Sequence, residues 1–221
     1  CSSTCEVEEG FVCEDAPIPL PDPFKIPVIY RDFRSYANGY TGPFSPDFNN
    51  PSSGSSSITF GITEKELGVD GRPVWSGNAL YGSNTGPPFS EDSFNQWYRT
   101  SETVVSDGNL EIVDELVLDH LGNNVYETPA SISDSFFPLD DPPPGYLTWP
   151  DEPTLGEALL SGGHNFGFTT EVHYFFVYQG DEELEFSGDD DLWVFVDGYL
   201  CLDVGGLHPK KTDTMSFASP S

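Results

Sequence analysis

The dipeptide Asp197-Gly198 constrains this sequence more than any other feature, because it separates two apolar runs, Leu192-Trp193-Val194-Phe195-Val196 and Tyr199-Leu200-Cys201-Leu202. A two-residue type I′ turn needs positive φ at both central positions, and Asp-Gly is one of the few pairs that supplies it at little cost. The two runs are therefore predicted to pair as an antiparallel hairpin. The chain as a whole carries 20 prolines and 22 glycines, residue types that disfavour helix interiors. Strands joined by long loops, an all-β fold, are the expectation.

Residues 1–23 read as a cysteine- and proline-rich lead-in and spacer. The stretch Ala16-Pro17-Ile18-Pro19-Leu20-Pro21-Asp22-Pro23 alternates prolines in a way that only extended or polyproline II backbone accommodates. One domain is expected over 24–221, with 26–33 as an edge strand because Pro27 cannot donate to a ladder. A long loop over 38–57 ends in a serine tract, and 58–62 reads as a short strand. Residues 90–98 read as one or two helical turns around Phe94, Trp97 and Tyr98, and 110–121 as a strand in which Val113, Leu116 and Leu118 alternate with acids. Pro142-Pro143-Pro144-Gly145 excludes regular structure over about 139–146. From Thr170 onward Val172, Tyr174, Phe176 and Tyr178 share one face, and Leu184 and Phe186 resume the alternation after a Gln179-Gly180 turn.

The charge balance narrows the function classes. Thirty-seven Asp and Glu stand against eight Lys and Arg, a formal net charge of −29. Nucleic acids are held by cations on their phosphates, so a nucleic-acid binder is excluded, and anionic membrane surfaces are disfavoured for the same reason. No run approaches the ~20 apolar residues of a spanning helix, so no membrane insertion is expected. Hydrophobic residues at 37%, of which aromatics make 14% of the chain, argue against disorder. Such a chain keeps itself soluble by self-repulsion and attracts hard divalent cations. It opens on Cys1, and its one methionine is Met215, which reads as a processed product or an excerpt of a longer protein. Cys1, Cys5 and Cys13 crowd the start while Cys201 lies far away; disulfides in an oxidising compartment are expected, with all three pairings open. A zinc site is the weaker reading, because no C-x2-C half is present.

The densest acidic feature is Ser187-Gly188-Asp189-Asp190-Asp191, placed just before the hairpin. Three adjacent carboxylates repel one another, and a cation relieves that repulsion. Calcium suits them best, since it accepts six to eight oxygens in flexible geometry. The plain alternative is a solvated acidic turn. Trp193 and Phe195 face opposite to Val194 and Val196; packing in the core is the commoner use of both sets, while a tryptophan beside a calcium ion is also placed to stack on a sugar ring. His120, His164 and His173 lack metal-ligand spacing, and no nucleophile-elbow, P-loop or dinucleotide fingerprint occurs, so no enzymatic activity is expected.

The run from Gly188 through Asp189-Asp190-Asp191-Leu192-Trp193-Val194-Phe195-Val196-Asp197-Gly198 to Leu202-Asp203-Val204-Gly205-Gly206-Leu207-His208 closely resembles the signature of the fibro-slime domain, a branch of the PA14 superfamily. The resemblance extends upstream through Tyr30-Arg31-Asp32-Phe33, Pro46-Asp47-Phe48, Gly71-Arg72-Pro73-Val74-Trp75, Trp97-Tyr98-Arg99, Phe136-Phe137-Pro138-Leu139-Asp140 and the segment from Asn165 to Val172. It implies a PA14-like antiparallel β-sandwich with long loops in a secreted or cell-surface protein. In lectin-type members two adjacent aspartates joined by a cis peptide hold one calcium, and sugar hydroxyls complete the shell; the resemblance places that pair on Asp189 and Asp190. Asp191 becomes a third ligand or a bond to a neighbouring loop. His208 matches the motif, and a hydrogen bond fixing the glycine turn is favoured for it over ligation. Members of the superfamily continue beyond this point, so the C-terminal strands are expected to be missing from this sequence or supplied by another protein chain. The functional expectation is a non-catalytic calcium-dependent carbohydrate-binding or adhesion module whose partner is a glycan or matrix polysaccharide. The alternative is a structural building block of an extracellular filament, wall or glycocalyx in which calcium only rigidifies the fold.

Overall fold

A computed structural model describes residues 22–34, 45, 47–48, 58–77, 88, 90–100, 109–129, 136–146, 164–178, 180 and 182–217. Within these, β1 (Phe24–Phe33) is the organising strand. It pairs antiparallel with β2 (Asn109–Gly122) along its whole length, from Phe24 opposite Leu118 to Phe33 opposite Asn109. Its other edge pairs antiparallel with β4 (Phe168–Val172), and β2 continues through a tight turn into β3 (Val125–Glu127). The sheet order is β3-β2-β1-β4. The fold is thus all-β and antiparallel, as the turn chemistry and composition predict.

β1 corrects the edge-strand expectation, and Pro27 supplies the reason. Pairing with β4 runs from Asp32 opposite Phe168 to Val28 opposite Val172 and stops there. The next partner in that register is Pro27, which has no N–H to offer. Residues 173–178 therefore leave the ladder, and Gln179 of the expected Gln179-Gly180 turn lies outside the described residues. The strand that follows, β5 (Glu183–Gly188), pairs instead with β8 (Lys211–Ser216).

Side-chain alternation gives the sheet two covered faces. On one, Val28, Tyr30 and Ile112 pack with Leu139, with Leu116 and Phe168 against them. On the other, Phe33 stacks on Phe48 at 4.3 Å, and Thr169 donates to the carbonyl of Trp97 in α1 (Glu91–Trp97). Val113, grouped by the sequence reading with Leu116 and Leu118, has the opposite parity and is half exposed. The helix starts where Ser90 and Ser93 cap each other reciprocally, and it buries Phe94 and Trp97.

The predicted hairpin forms as β6 (Leu192–Val196) and β7 (Tyr199–Val204), with φ of 50° at Asp197 and 85° at Gly198. It joins Ile62, Phe94 and Trp97 through Trp193, which makes it part of a second apolar cluster with Phe48, Trp75 and Tyr98. Its tip is stitched to 65–67 by hydrogen bonds from Leu67 N–H to the carbonyl of Gly198 and from Leu200 N–H to that of Lys65. Residues 58–62, expected as a strand, are instead an irregular segment held to the hairpin, with Thr59 N–H bonded to the Gly205 carbonyl. Cys201 is the extra residue at a bulge in the hairpin and is exposed, with its thiol near the Tyr199 carbonyl; Cys1, Cys5 and Cys13 lie outside the described residues.

Candidate functional site

The acidic turn Asp189–Asp191 connects β5 to β6 beside the end of β7. Asp189 is exposed. Asp190 takes a φ of 141°, a backbone region that non-glycine residues rarely adopt, and its Oδ1 accepts from the Asp191 amide at 3.1 Å. Asp191 points inward, and its Oδ1 accepts from the Gly206 amide, which fastens the turn to the Gly205-Gly206 corner. Gly205 has to be glycine, since a Cβ there would lie 2.8 Å from the Thr59 carbonyl oxygen and 3.0 Å from Ile62.

Carboxyls accumulate around this corner. Asp203 receives the Gly61 amide at 2.8 Å on one oxygen and the Trp193 indole N–H at 3.0 Å on the other. Buried Asp47 receives the Trp97 indole N–H at 2.8 Å. Burial, followed by the charges of Asp190, Asp203 and Asp47, pushes the Asp191 carboxyl well above its usual range, although the Gly206 amide opposes this. Asp190, exposed as a residue, is pushed up to about 6 by desolvation, with the Asp189 charge adding to it. Burial also raises the Tyr98 hydroxyl, helped by the charges of Asp191 and Glu171.

His208 is buried behind the same corner. Its Nε2 faces the Val204 carbonyl at 3.2 Å and its Nδ1 the Pro209 carbonyl at 2.9 Å, so the ring is occupied in holding the glycine turn. Trp193 is half-buried among Phe94, Trp97 and Tyr98, with ring centroids 6.1–6.4 Å away, which is the core-packing use. Sequence reasoning quoted Asp203 and Asp47 only as parts of motifs. The signal that could have found them is the pair of tryptophans, since a buried indole N–H requires an acceptor.

The donor chemistry, hard carboxylate oxygens under mutual repulsion, suits calcium. The geometry is not a finished cage: among the described residues no group of three or more His, Cys, Asp or Glu stands together in metal-holding arrangement. The one cis peptide there is Asp22-Pro23, so the Asp189-Asp190 bond is trans.

A second charged cluster lies on the sheet. Arg31 is fully buried, its Nη1 2.6 Å from Glu171 and its Nη2 3.6 Å from Glu111. Glu171 is shared with His173 at 2.7 Å and Arg72 at 3.6 Å. This ties β1, β2 and β4 to the 70–72 turn and serves as a structural lock.

No family model matches the chain, and no solved structure matches it. It is similar to curated proteins of Dictyostelium discoideum: Protein psiD, 34% identical over 164 residues that cover 72% of this chain and 30% of that protein; Protein psiC, 32% identical over 178 residues, 77% and 31%; and Protein psiQ, 33% identical over 173 residues, 77% and 16%. The chain spans a third or less of the length of these curated relatives.

Proposed function

We propose that the chain is a non-catalytic binding module of an extracellular or cell-surface adhesion protein, with the Asp189–Asp191 turn as a calcium-responsive element and a glycan as ligand. The observation that carries this reading is the crowding of the buried Asp191 carboxyl against Asp190, Asp203 and Asp47, with desolvation and the Asp189 charge acting on Asp190, which raises the cost of their ionisation. A hard divalent cation relieves that cost. The fibro-slime resemblance of the same residues supports it. When bound, the ion would supply charge neutralisation and coordination positions for vicinal hydroxyls. The chain's own residues do the positioning: Asp191 pins the turn to Gly206, Asp203 pins the hairpin to Gly61, and His208 holds the glycine corner. Because no three ligands among the described residues are in place beforehand, ion binding is coupled to rearrangement of the turn.

Calcium titration followed by thermal unfolding tests this. Stability rises with the ion in the wild type, falls back with chelator, and stays flat in Asp189→Asn and Asp190→Asn. An identical response of variants and wild type removes the assignment. Glycan arrays with and without chelator then test the ligand.

A structural building block is the second reading, favoured by the exposed run after β4. Val172, Tyr174, Phe176 and Tyr178 are 42–48% exposed, while Phe175 and Val177 reach 92% and 80%. An apolar segment beside an open sheet edge invites association. Light scattering on a Phe175→Ser/Val177→Thr variant checks it: calcium-independent assembly of the wild type that the variant loses favours the scaffold.

A further inference from the structure

A cleft of about 250 Å³ opens on the far side of the central sheet from the acidic turn, between β2 and the 136–138 loop. Its lining includes Tyr30, Asp114, Leu116, Phe136 and Phe137. By strand alternation Asp114 lies on the same face as Ile112 and Leu116, directly across from Val28. This is the apolar face, where an acid breaks the pattern of its strand. Asp114 is half-buried and has neither hydrogen bond nor ion pair among the described residues. Tyr30 is 3% exposed, and its hydroxyl likewise has no hydrogen-bond partner among the described residues. Desolvation and the nearby Asp114 charge push that hydroxyl up to about 12, which keeps it neutral beside the carboxylate. The Phe136 ring stands 6.2 Å from Tyr30, and Phe137 is held flat against His164 at 4.1 Å. The neighbouring Glu115 is spent on Lys25 at 2.7 Å, which leaves Asp114 as the open charge.

We propose that this cleft binds an organic cation, one ammonium or guanidinium group on an apolar stem, with Asp114 as counter-charge, Tyr30 as hydroxyl partner and the Phe136 and Phe137 rings as walls. Anions are repelled by Asp114. A polyol needs donors as well as acceptors, and apart from the Tyr30 hydroxyl no donor side chain lines the cleft among the described residues. Aromatic faces attract cations and an apolar stem fills the space between them. The chain's net charge of −29 raises the local cation concentration. The same chemistry is offered by a free alkylamine and by a lysine or arginine side chain of a protein partner.

The experiment is an NMR titration of the whole chain with n-butylguanidinium and n-butylammonium, with 1-pentanol as uncharged counterpart. The expected result is saturable binding with shifts confined to the amides of 114–117 and 136–137, about tenfold or more weaker for pentanol. Asp114→Asn is expected to weaken binding about tenfold and Phe136→Leu about two- to tenfold, whereas Glu127→Gln, an exposed acid on β3, leaves it unchanged. Should Asp114→Asn fail to fold, Phe136→Leu and the pentanol comparison decide. Shifts spread over the acidic surface, pentanol binding as well as the cations, or Glu127→Gln weakening binding as much as Asp114→Asn would overturn the proposal. An arginine-containing peptide that binds about tenfold more tightly than butylguanidinium, and loses that with Asp114→Asn, identifies the source as a protein side chain. Peptide binding no tighter than the free cation identifies a small amine. Tight peptide binding indifferent to Asp114 sinks the idea.

Discussion

Replacing Asp190 by Asn is predicted to stabilise the metal-free protein near neutral pH. Desolvation pushes the Asp190 carboxyl from 3.8 to about 6. An acid whose folded value lies above its unfolded value binds its proton more tightly when folded. Its penalty is therefore absent below about pH 4, builds as pH rises through about 6, and is complete above that. At about 1.4 kcal/mol per unit, the ceiling is about 3 kcal/mol. Solvent reaches part of the residue and screens the charge, which reduces the expectation to about 1–1.5 kcal/mol. Asparagine retains an acceptor for the Asp191 amide and tolerates the same positive φ, so the substitution removes charge with little else. For a chain of this size the gain corresponds to about 2–6 °C in Tm. The assay is urea or thermal unfolding of both proteins in chelator at about pH 7.5 and about pH 4. The variant should be more stable at the higher pH and indistinguishable at the lower. Equal or lower stability at about pH 7.5, or a gain that persists at about pH 4, would refute the account of the crowded turn.

Glu171→Gln strips the buried Arg31 guanidinium of its closest partner, and a loss of about 3 kcal/mol in urea unfolding is expected, at the low end for a broken buried pair because Glu111 remains nearby; a loss under about 1 kcal/mol would show the lock to be dispensable. Gly205→Ala drives a methyl group against the Thr59 carbonyl and the Trp193 ring, and should cost about 1–3 kcal/mol with a shift in tryptophan fluorescence. Ser90→Ala removes the helix cap and should cost about 1 kcal/mol in the same unfolding measurement without altering the fluorescence of the native state.

Local chemistry was legible where a few adjacent residues decide the outcome. The Asp197-Gly198 turn and the helical turns over 90–98 each depend on neighbours in sequence, and both elements stand where expected. Pairing partners were less legible, because β1 takes its neighbours from distant segments and nothing near residue 30 identifies them. Residues 172–178 show both sides of this. Their alternation is real in the exposure pattern, with Tyr174 against Phe24 and Phe176 against Phe217, yet no ladder follows because Pro27 withholds the next donor. At the acidic turn the three aspartates were evident, whereas the roles of Asp203 and Asp47 arise only when indoles from other segments arrive. Asp114 looked like one more acid in an alternating strand; the parity of its neighbours on β1 puts it on the apolar face.

The Arg31–Glu171 contact joins residues 140 apart in the chain, and the Gly61–Asp203 bond joins residues 142 apart. Topology of this kind belongs to slow folders, because loop closure over such spans precedes any reward from the contacts it permits. During synthesis β1 emerges about 140 residues before Glu171 and the rest of β4. Val28, Tyr30 and the apolar edge of β1 therefore wait uncovered, and the folding yield of this protein depends on what shields one strand during that interval.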